Sequence, residues 1–261
     1  MIGLFDSGVG GLTVVREVMR RLPDYSLLYL GDTARTPYGN KSAEVVSAYG
    51  LQAARFLIDK GATILVVACN TVSAVGLTAI KQAYPDTQIF DVITPAIEAI
   101  KKVSQGKHIG VMGTRALVGS GVYQRLLAEQ NGYHVTAQAA PLLVPLVEEG
   151  WLDRPETKRI VKRYLAPFKQ AQVDTLVLAC THYPLLKAII AARVGKRVRV
   201  VDPAEETAEA LVAWLAQNRE VAASLPAGPS HFYVTDLTPQ IEAVANKWLN
   251  RTVKFEKVEL K

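Results

Sequence analysis

Short apolar runs alternate along the chain with stretches whose apolar residues recur every three or four positions. Ile2-Gly3-Leu4-Phe5 is the first run, and it closes on Asp6-Ser7-Gly8-Val9-Gly10-Gly11. Leu12, Val15, Val18, Met19 and Leu22 then share one helical face, which Pro23 ends. Leu27 to Leu30 predicts a second strand, running into a loop from Gly31 to Gly39. The pattern predicts helices over 42–59 and 72–83. Ile64-Leu65-Val66-Val67-Ala68 is apolar throughout, as expected of a parallel strand covered on both faces, and Ile89 to Val92 predicts another. Strands that alternate with helices predict α/β layers around a parallel sheet.

Near residue 108 the pattern restarts. Ile109-Gly110-Val111-Met112-Gly113-Thr114 echoes Ile2 to Ser7 at an offset of 107 residues. Leu176-Val177-Leu178-Ala179-Cys180-Thr181 echoes Leu65 to Asn70 at an offset of 111. Chance likeness between apolar strands would account for the first pair alone. The second pair is harder to set aside, because the chain's only two cysteines fall at matching places, which favours a duplicated domain. A helix over Thr207–Leu215, a strand over Ser230–Val234 and a helix over 239–249 belong to neither echo. They are expected to pack back onto the first half.

Composition narrows the class. At 261 residues, 49% hydrophobic and 21% charged, the chain can bury a core and is not of disordered type. No apolar run approaches the ~18 residues of a membrane span. The opening MIGLFDSG has neither the basic nor the apolar region of a secretory leader, so the expectation is a cytoplasmic protein with no membrane partner. The net charge of +6 raises nucleic-acid binding as a class. The basic residues are not clustered, though: Lys196 to Arg199 and the tail from Lys247 are interrupted by apolar residues and Glu. No nucleic-acid partner is expected, and a positive surface that draws in small anions is the milder reading. Two cysteines and four scattered histidines make no disulfide framework and no zinc pattern. Gly8-x-Gly10 leads to Thr13 where a dinucleotide fingerprint needs a third Gly, and no phosphate-loop motif occurs. No metal and no cofactor is expected.

Ligands of parallel α/β sheets bind outside the carboxyl ends of the strands, and both cysteines stand there. Asn70 and Thr71 follow Cys69 as N-cap types. Thr181 and His182 follow Cys180, with Pro184 placed as a first-turn proline. A helix start lowers a thiol pKa and accepts anions. The alternatives are two small buried hydrophobes or a redox pair. Asp6 orients an amine, tunes a thiol or caps the following helix. Asp32, Arg35 and Tyr38 form a binding loop or a polar turn. Glu148, in Pro145-Leu146-Val147-Glu148-Glu149-Gly150, is a site carboxylate or a solvated helix end. His182 is a structural imidazole or, beside a thiolate, a proton carrier.

Together these segments resemble the glutamate racemases, a branch of the cofactor-independent aspartate/glutamate racemase superfamily. The resemblance rests on residues 5–13, 31–39, 68–71, 145–150 and 180–186. It implies two pseudo-symmetric α/β/α domains with mainly parallel sheets and an active site at their interface. The boundaries expected are 1–95 plus 208–261 for one domain and 96–207 for the other. It implies that Cys69 and Cys180 are the two acid/base residues, Cys69 taking the α-proton from D-glutamate and Cys180 from L-glutamate. Asp6 and His182 assist them, and Asp32 and Glu148 match further supporting acids. Substrate contacts fall to Asp6, Ser7, Tyr38, Gly39, Asn70, Thr71, Thr181 and His182, with Thr114 at the echo position of Ser7. The implied role is D-glutamate supply for peptidoglycan, and a homodimer is among the assemblies the resemblance allows.

Chemistry fits these implications. Racemisation removes a proton from one face of Cα and delivers one to the other, which two facing bases do without moving. An unperturbed thiol pKa of ~8.5 lies close enough to neutrality for either state. An aspartate or other amino-acid racemase of the superfamily and a non-catalytic amino-acid-binding protein are the competing readings.

Overall fold

The computed structural model describes residues 1–128 and 132–260. The chain begins β1 (Ile2–Asp6), α1 (Leu12–Arg21), β2 (Leu27–Gly31), α2 (Ala43–Asp59), β3 (Ile64–Val67), α3 (Asn70–Val75), α4 (Leu77–Ala83) and β4 (Gln88–Asp91). It continues through α5 (Ile93–Val103), β5 (His108–Gly113), α6 (Arg115–Ser120), α7 (Val122–Ala128), β6 (His134–Ala139), α8 (Leu143–Glu148), α9 (Pro155–Gln170), β7 (Thr175–Ala179), α10 (Lys187–Val194) and β8 (Arg199–Val201). It ends with α11 (Pro203–Gln217), α12 (Arg219–Ser224), β9 (His231–Val234), α13 (Pro239–Leu249) and β10 (Phe255–Lys257).

The strands form two sheets, one of six in the order β10-β9-β2-β1-β3-β4 and one of four in the order β6-β5-β7-β8. All pairings within them are parallel. The order β2-β1-β3-β4 repeats as β6-β5-β7-β8, so β5 and β7, the strands of the sequence echo, occupy the places of β1 and β3. In both sheets the next two strands of the chain lie on opposite sides of the first, β2 and β3 about β1 and β6 and β7 about β5. This creates a crevice at the carboxyl ends of β1 and β3, and again at those of β5 and β7. Asp6 and Cys69 stand at the first crevice, Thr114 and Cys180 at the second.

Strands β1, β2, β3 and β7 are buried at every position, because helices cover both faces of each sheet. Strand β6 reads otherwise. Its six residues are half-buried or exposed, so it offers no apolar run, and the sequence pattern passes over it. The helix expected over 72–83 begins at Asn70 and is divided at Gly76. A Cβ on Gly76 would stand 3.2 Å from the Ser47 backbone, so the division lies where α2 passes close by.

The chain crosses between the sheets twice, from β4 into α5 and from β8 into α11, and α5 and α11 pack on each other. Helix α11 also packs on α1, and β9 pairs with β2. Among the described residues no helix is long and apolar enough to cross a membrane.

Candidate active site

Asp6 closes β1 and turns inward, 1% exposed. Its Oδ2 accepts the N–H of Gly8 at 3.2 Å and of Gly11 at 2.9 Å, which folds the glycine-rich loop around the carboxylate. The space is tight: a Cβ on Gly10 would collide with Thr181 and His182 of the other half. Two hydrogen bonds cross at this point. Thr13 Oγ1 lies 2.9 Å from the Thr181 carbonyl, and Thr181 Oγ1 donates to Asp6 Oδ1 at 3.5 Å. Burial pushes the Asp6 pKa up, against the His182 charge and the loop N–H groups.

Cys69 follows β3 and occupies the N-cap position of α3 itself. Asn70 and Thr71, expected as caps, lie in the first turn instead, and no side chain caps this helix. The thiol also departs from expectation. Burial, and then the Asp6 carboxylate, push its pKa up to about 12, against the Val72 N–H and the Ser7 hydroxyl and N–H. The helix start is present, but desolvation beside a carboxylate outweighs it.

Cys180 follows β7 and meets an imidazole. Its Sγ lies 3.8 Å from His182 Nδ1, and His182 Nε2 lies 3.1 Å from Glu148 Oε1 at the end of α8. Glu148 is thus more than a solvated helix end. Burial disfavours the imidazolium, yet the hydrogen bonds to Cys180 and Glu148 prevail and raise the His182 pKa to about 10. The Trp248 ring of α13 packs edge-on against His182, centroids 5.8 Å apart. Beyond His182 the chain makes a short 3-10 turn over Tyr183–Leu186, with Pro184 in its first turn, before α10 starts. The Tyr183 hydroxyl fastens this turn to the carbonyls of Gly113 at 3.2 Å and Ala140 at 2.9 Å, where β5 and β6 end.

One cleft of about 270 Å³ takes in both cysteines. Ser7, Tyr38, Gly39, Asn70 and Thr71 reach it from the first half, and Thr114, Glu148, Thr181 and His182 from the second. Thr71 and Thr114 meet across it, hydroxyl to hydroxyl, at 3.0 Å. Thr114 also caps α6. Asn70 is 3% exposed, and its Oδ1 has no hydrogen-bond partner. A buried amide oxygen left open at a cleft is a place for a ligand N–H.

Asp32 and Asp6 stand behind the lining rather than in it. The Asp32 carboxylate is taken up by three neighbours. Tyr38 donates its hydroxyl, Arg35 Nε donates at 2.6 Å, and Thr235 Oγ1 donates at 2.8 Å. Asp32 therefore fixes Tyr38, and it ties this loop to the segment after β9. The sequence reading did not single out Asn40, Arg115 or Trp248. Asn40 directly follows the Gly31–Gly39 loop and Arg115 directly follows Thr114, so extending those motifs by one residue would have found both. Trp248 reaches the site only through tertiary packing and leaves no local signal. Among the described residues no three His, Cys, Asp or Glu side chains converge as metal ligands would.

Duplicated parallel sheets with a cleft between their strand ends define a two-domain α/β enzyme. Residues 12–211 match the Asp/Glu/Hydantoin racemase family, and the chain belongs to it. It is an isomerase of the amino-acid racemase type. A glutamate racemase of Geobacter metallireducens is 41% identical over 95% of this chain and 92% of its own length. A glutamate racemase isoform from Bacillus anthracis has a crystal structure that superposes with a TM-score of 0.94 at 37% identity, covering 100% of this chain and 97% of its own. A Francisella tularensis glutamate racemase in complex with D-glutamate superposes at 0.92 with 32% identity, covering 99% of this chain and 97% of its own.

Proposed function

We propose that this racemase interconverts L- and D-glutamate by two-base proton transfer between Cys69 and Cys180, needs no cofactor, and supplies D-glutamate for peptidoglycan precursors in the cytoplasm. The observation that carries the reading is the pair of thiols, one from each half, at matching strand ends and lining one cleft. The relative with D-glutamate bound points to the same substrate.

Toward D-glutamate, the Cys180 thiolate takes the α-proton of L-glutamate. The electron pair passes into the α-carboxylate, and the Cys69 thiol delivers its proton to the opposite face. Cys180 is left as thiol and Cys69 as thiolate, and D-glutamate reverses the roles. Both proton-transfer groups come from the chain, so the chemistry asks for no cofactor. The environments fit the assignment. Burial beside Asp6 keeps Cys69 protonated as the donor. The His182 imidazolium, held by Glu148, faces the sulfur that must carry negative charge. Asp6, with its raised pKa, is placed to relay a proton at Cys69. Asn70 Oδ1 accepts from the substrate ammonium. The hydroxyls of Ser7, Thr71, Thr114 and Thr181 and the Gly39 backbone serve the carboxylates, where charge develops in the transition state. Asp32 acts through Tyr38. The two sheets support a division into 1–95 plus 208–261 and 96–207.

The test is L-glutamate in D2O with no pyridoxal phosphate or metal added, followed by NMR at Cα and by circular dichroism. We expect deuterium at Cα, optical activity decaying to zero, and loss of racemisation in Cys69→Ala and in Cys180→Ala. Turnover of aspartate in place of glutamate would move the chain to a sister activity. No exchange with either would overturn the reading.

A further inference from the structure

The cleft divides by exposure. Its floor is buried: Cys69, Asn70, Thr71, Cys180, Thr181 and His182 are each 6% exposed or less. Asn40 and Arg115 are exposed and stand at its mouth, one on each half. Arg115 Nη1 donates to Asn40 Oδ1 at 3.2 Å, a second contact across the cleft besides the Thr71–Thr114 hydroxyl pair. Arg115 is also the one Lys or Arg among the lining residues. The other basic side chain there, His182, is engaged by Cys180 and Glu148.

A dicarboxylate amino acid carries one more negative than positive charge and must pass this mouth. Asn40 offers the guanidinium a neutral acceptor, whereas a carboxylate offers a charged, two-pronged one, which is the stronger partner. We propose that Arg115 is a specificity residue: it takes a carboxylate of the arriving dicarboxylate amino acid, lets go of Asn40, and so favours dicarboxylates over neutral amino acids. The inference rests on the glutamate reading above and adds to it the residue that selects the charge class. An exposed guanidinium is screened by salt, so its contribution is modest and salt-dependent.

The experiment is steady-state racemisation by wild type, R115Q, R115K and N40A at low and high salt. We expect R115Q to raise KM for glutamate roughly threefold to fivefold at low salt, the upper part of the range of exposed charge pairs, with the gap closing at high salt. R115K keeps most of the wild-type KM, and N40A lowers KM because the guanidinium is freed. An unchanged KM in R115Q, or a rise that ignores salt, overturns the proposal. Equal rises in R115Q and N40A also overturn it, since a mere strap between the halves breaks alike from either end. Wild-type turnover in the same series separates failure of this inference from failure of the glutamate reading. If aspartate is the substrate found, the comparison runs on that dicarboxylate.

Discussion

The two thiols occupy matching positions in opposed surroundings, a carboxylate beside one and an imidazole beside the other. His182 carries the clearest consequence for pH. Its folded pKa of about 10 stands above the ordinary 6.5, so the native state holds this proton more tightly than the unfolded chain does. The stabilisation is complete below about 6.5 and is lost as pH rises through about 10. Cys69 acts in the same sense at higher pH, between 9.0 and about 12. Glu148→Gln removes the charge that supports the imidazolium and lowers the folded pKa, so the fall in thermal midpoint should still begin near 6.5 but be smaller and end at lower pH in that variant. The same change should lower kcat/KM roughly tenfold and move the alkaline limb of the rate profile down, since Glu148 is the carboxylate in contact with the His182 ring. Thermal melts and pH–rate profiles of the two proteins check both outcomes. Asp202 provides a separate signature. Burial raises its pKa to about 6 from 3.8 although Lys187 lies 3.8 Å away, so its share of stability declines as pH rises from about 4 to about 6. Asp202→Asn keeps an oxygen to cap α11 and should flatten that slope.

At the scale of elements, the site depends on how closely the strand-end loops approach. Gly10 has no room for a side chain, because Thr181 and His182 of the other half fill the place. Gly10→Ala should cost about 1–3 kcal/mol of stability, as overpacking does, and should lower activity by displacing His182 from Cys180. Denaturant melts and kcat measure the two effects. Thr114→Val removes the cap of α6, worth about 1 kcal/mol, together with the hydroxyl contact to Thr71. Much of this scale was legible in the sequence. Buried parallel strands leave continuous apolar runs, so β1, β3, β5 and β7 stand out, and the cysteines after β3 and β7 mark their ends. Half-exposed β6 leaves no such trace. The loops after those strands could be read as sites because glycines and small polar residues cluster there. The partner of a loop residue could not: Glu148 and His182 lie 34 positions apart and meet only in three dimensions. The direction of the Cys69 shift was hidden for the same reason, since spacing shows a helix start and not the burial that outweighs it.

At the scale of the molecule, the two chain crossings are adjacent, because α5 and α11 pack together. A swing of the halves about these two neighbouring connections would open or narrow the mouth where Asn40 meets Arg115. Spin labels placed across the mouth should report a distance that shortens with substrate. Labels on α5 and α11 should report none. The six-stranded sheet, widened by β9 and β10, also brings Trp248 of α13 against His182, so the last third of the chain closes a site begun at residue 6.

The unlike surroundings of the two sulfurs have one further consequence. Mirror-image amino acids have equal free energies in water, so no catalyst can shift their ratio in solution away from one to one. An enzyme that treats its two faces differently must still run with equal kcat/KM in the two directions. In the two-thiol mechanism proposed above, the carboxylate on one side and the imidazole on the other therefore divide the barrier without tilting it. Whatever turnover is gained for one hand is matched by weaker apparent binding of that same hand.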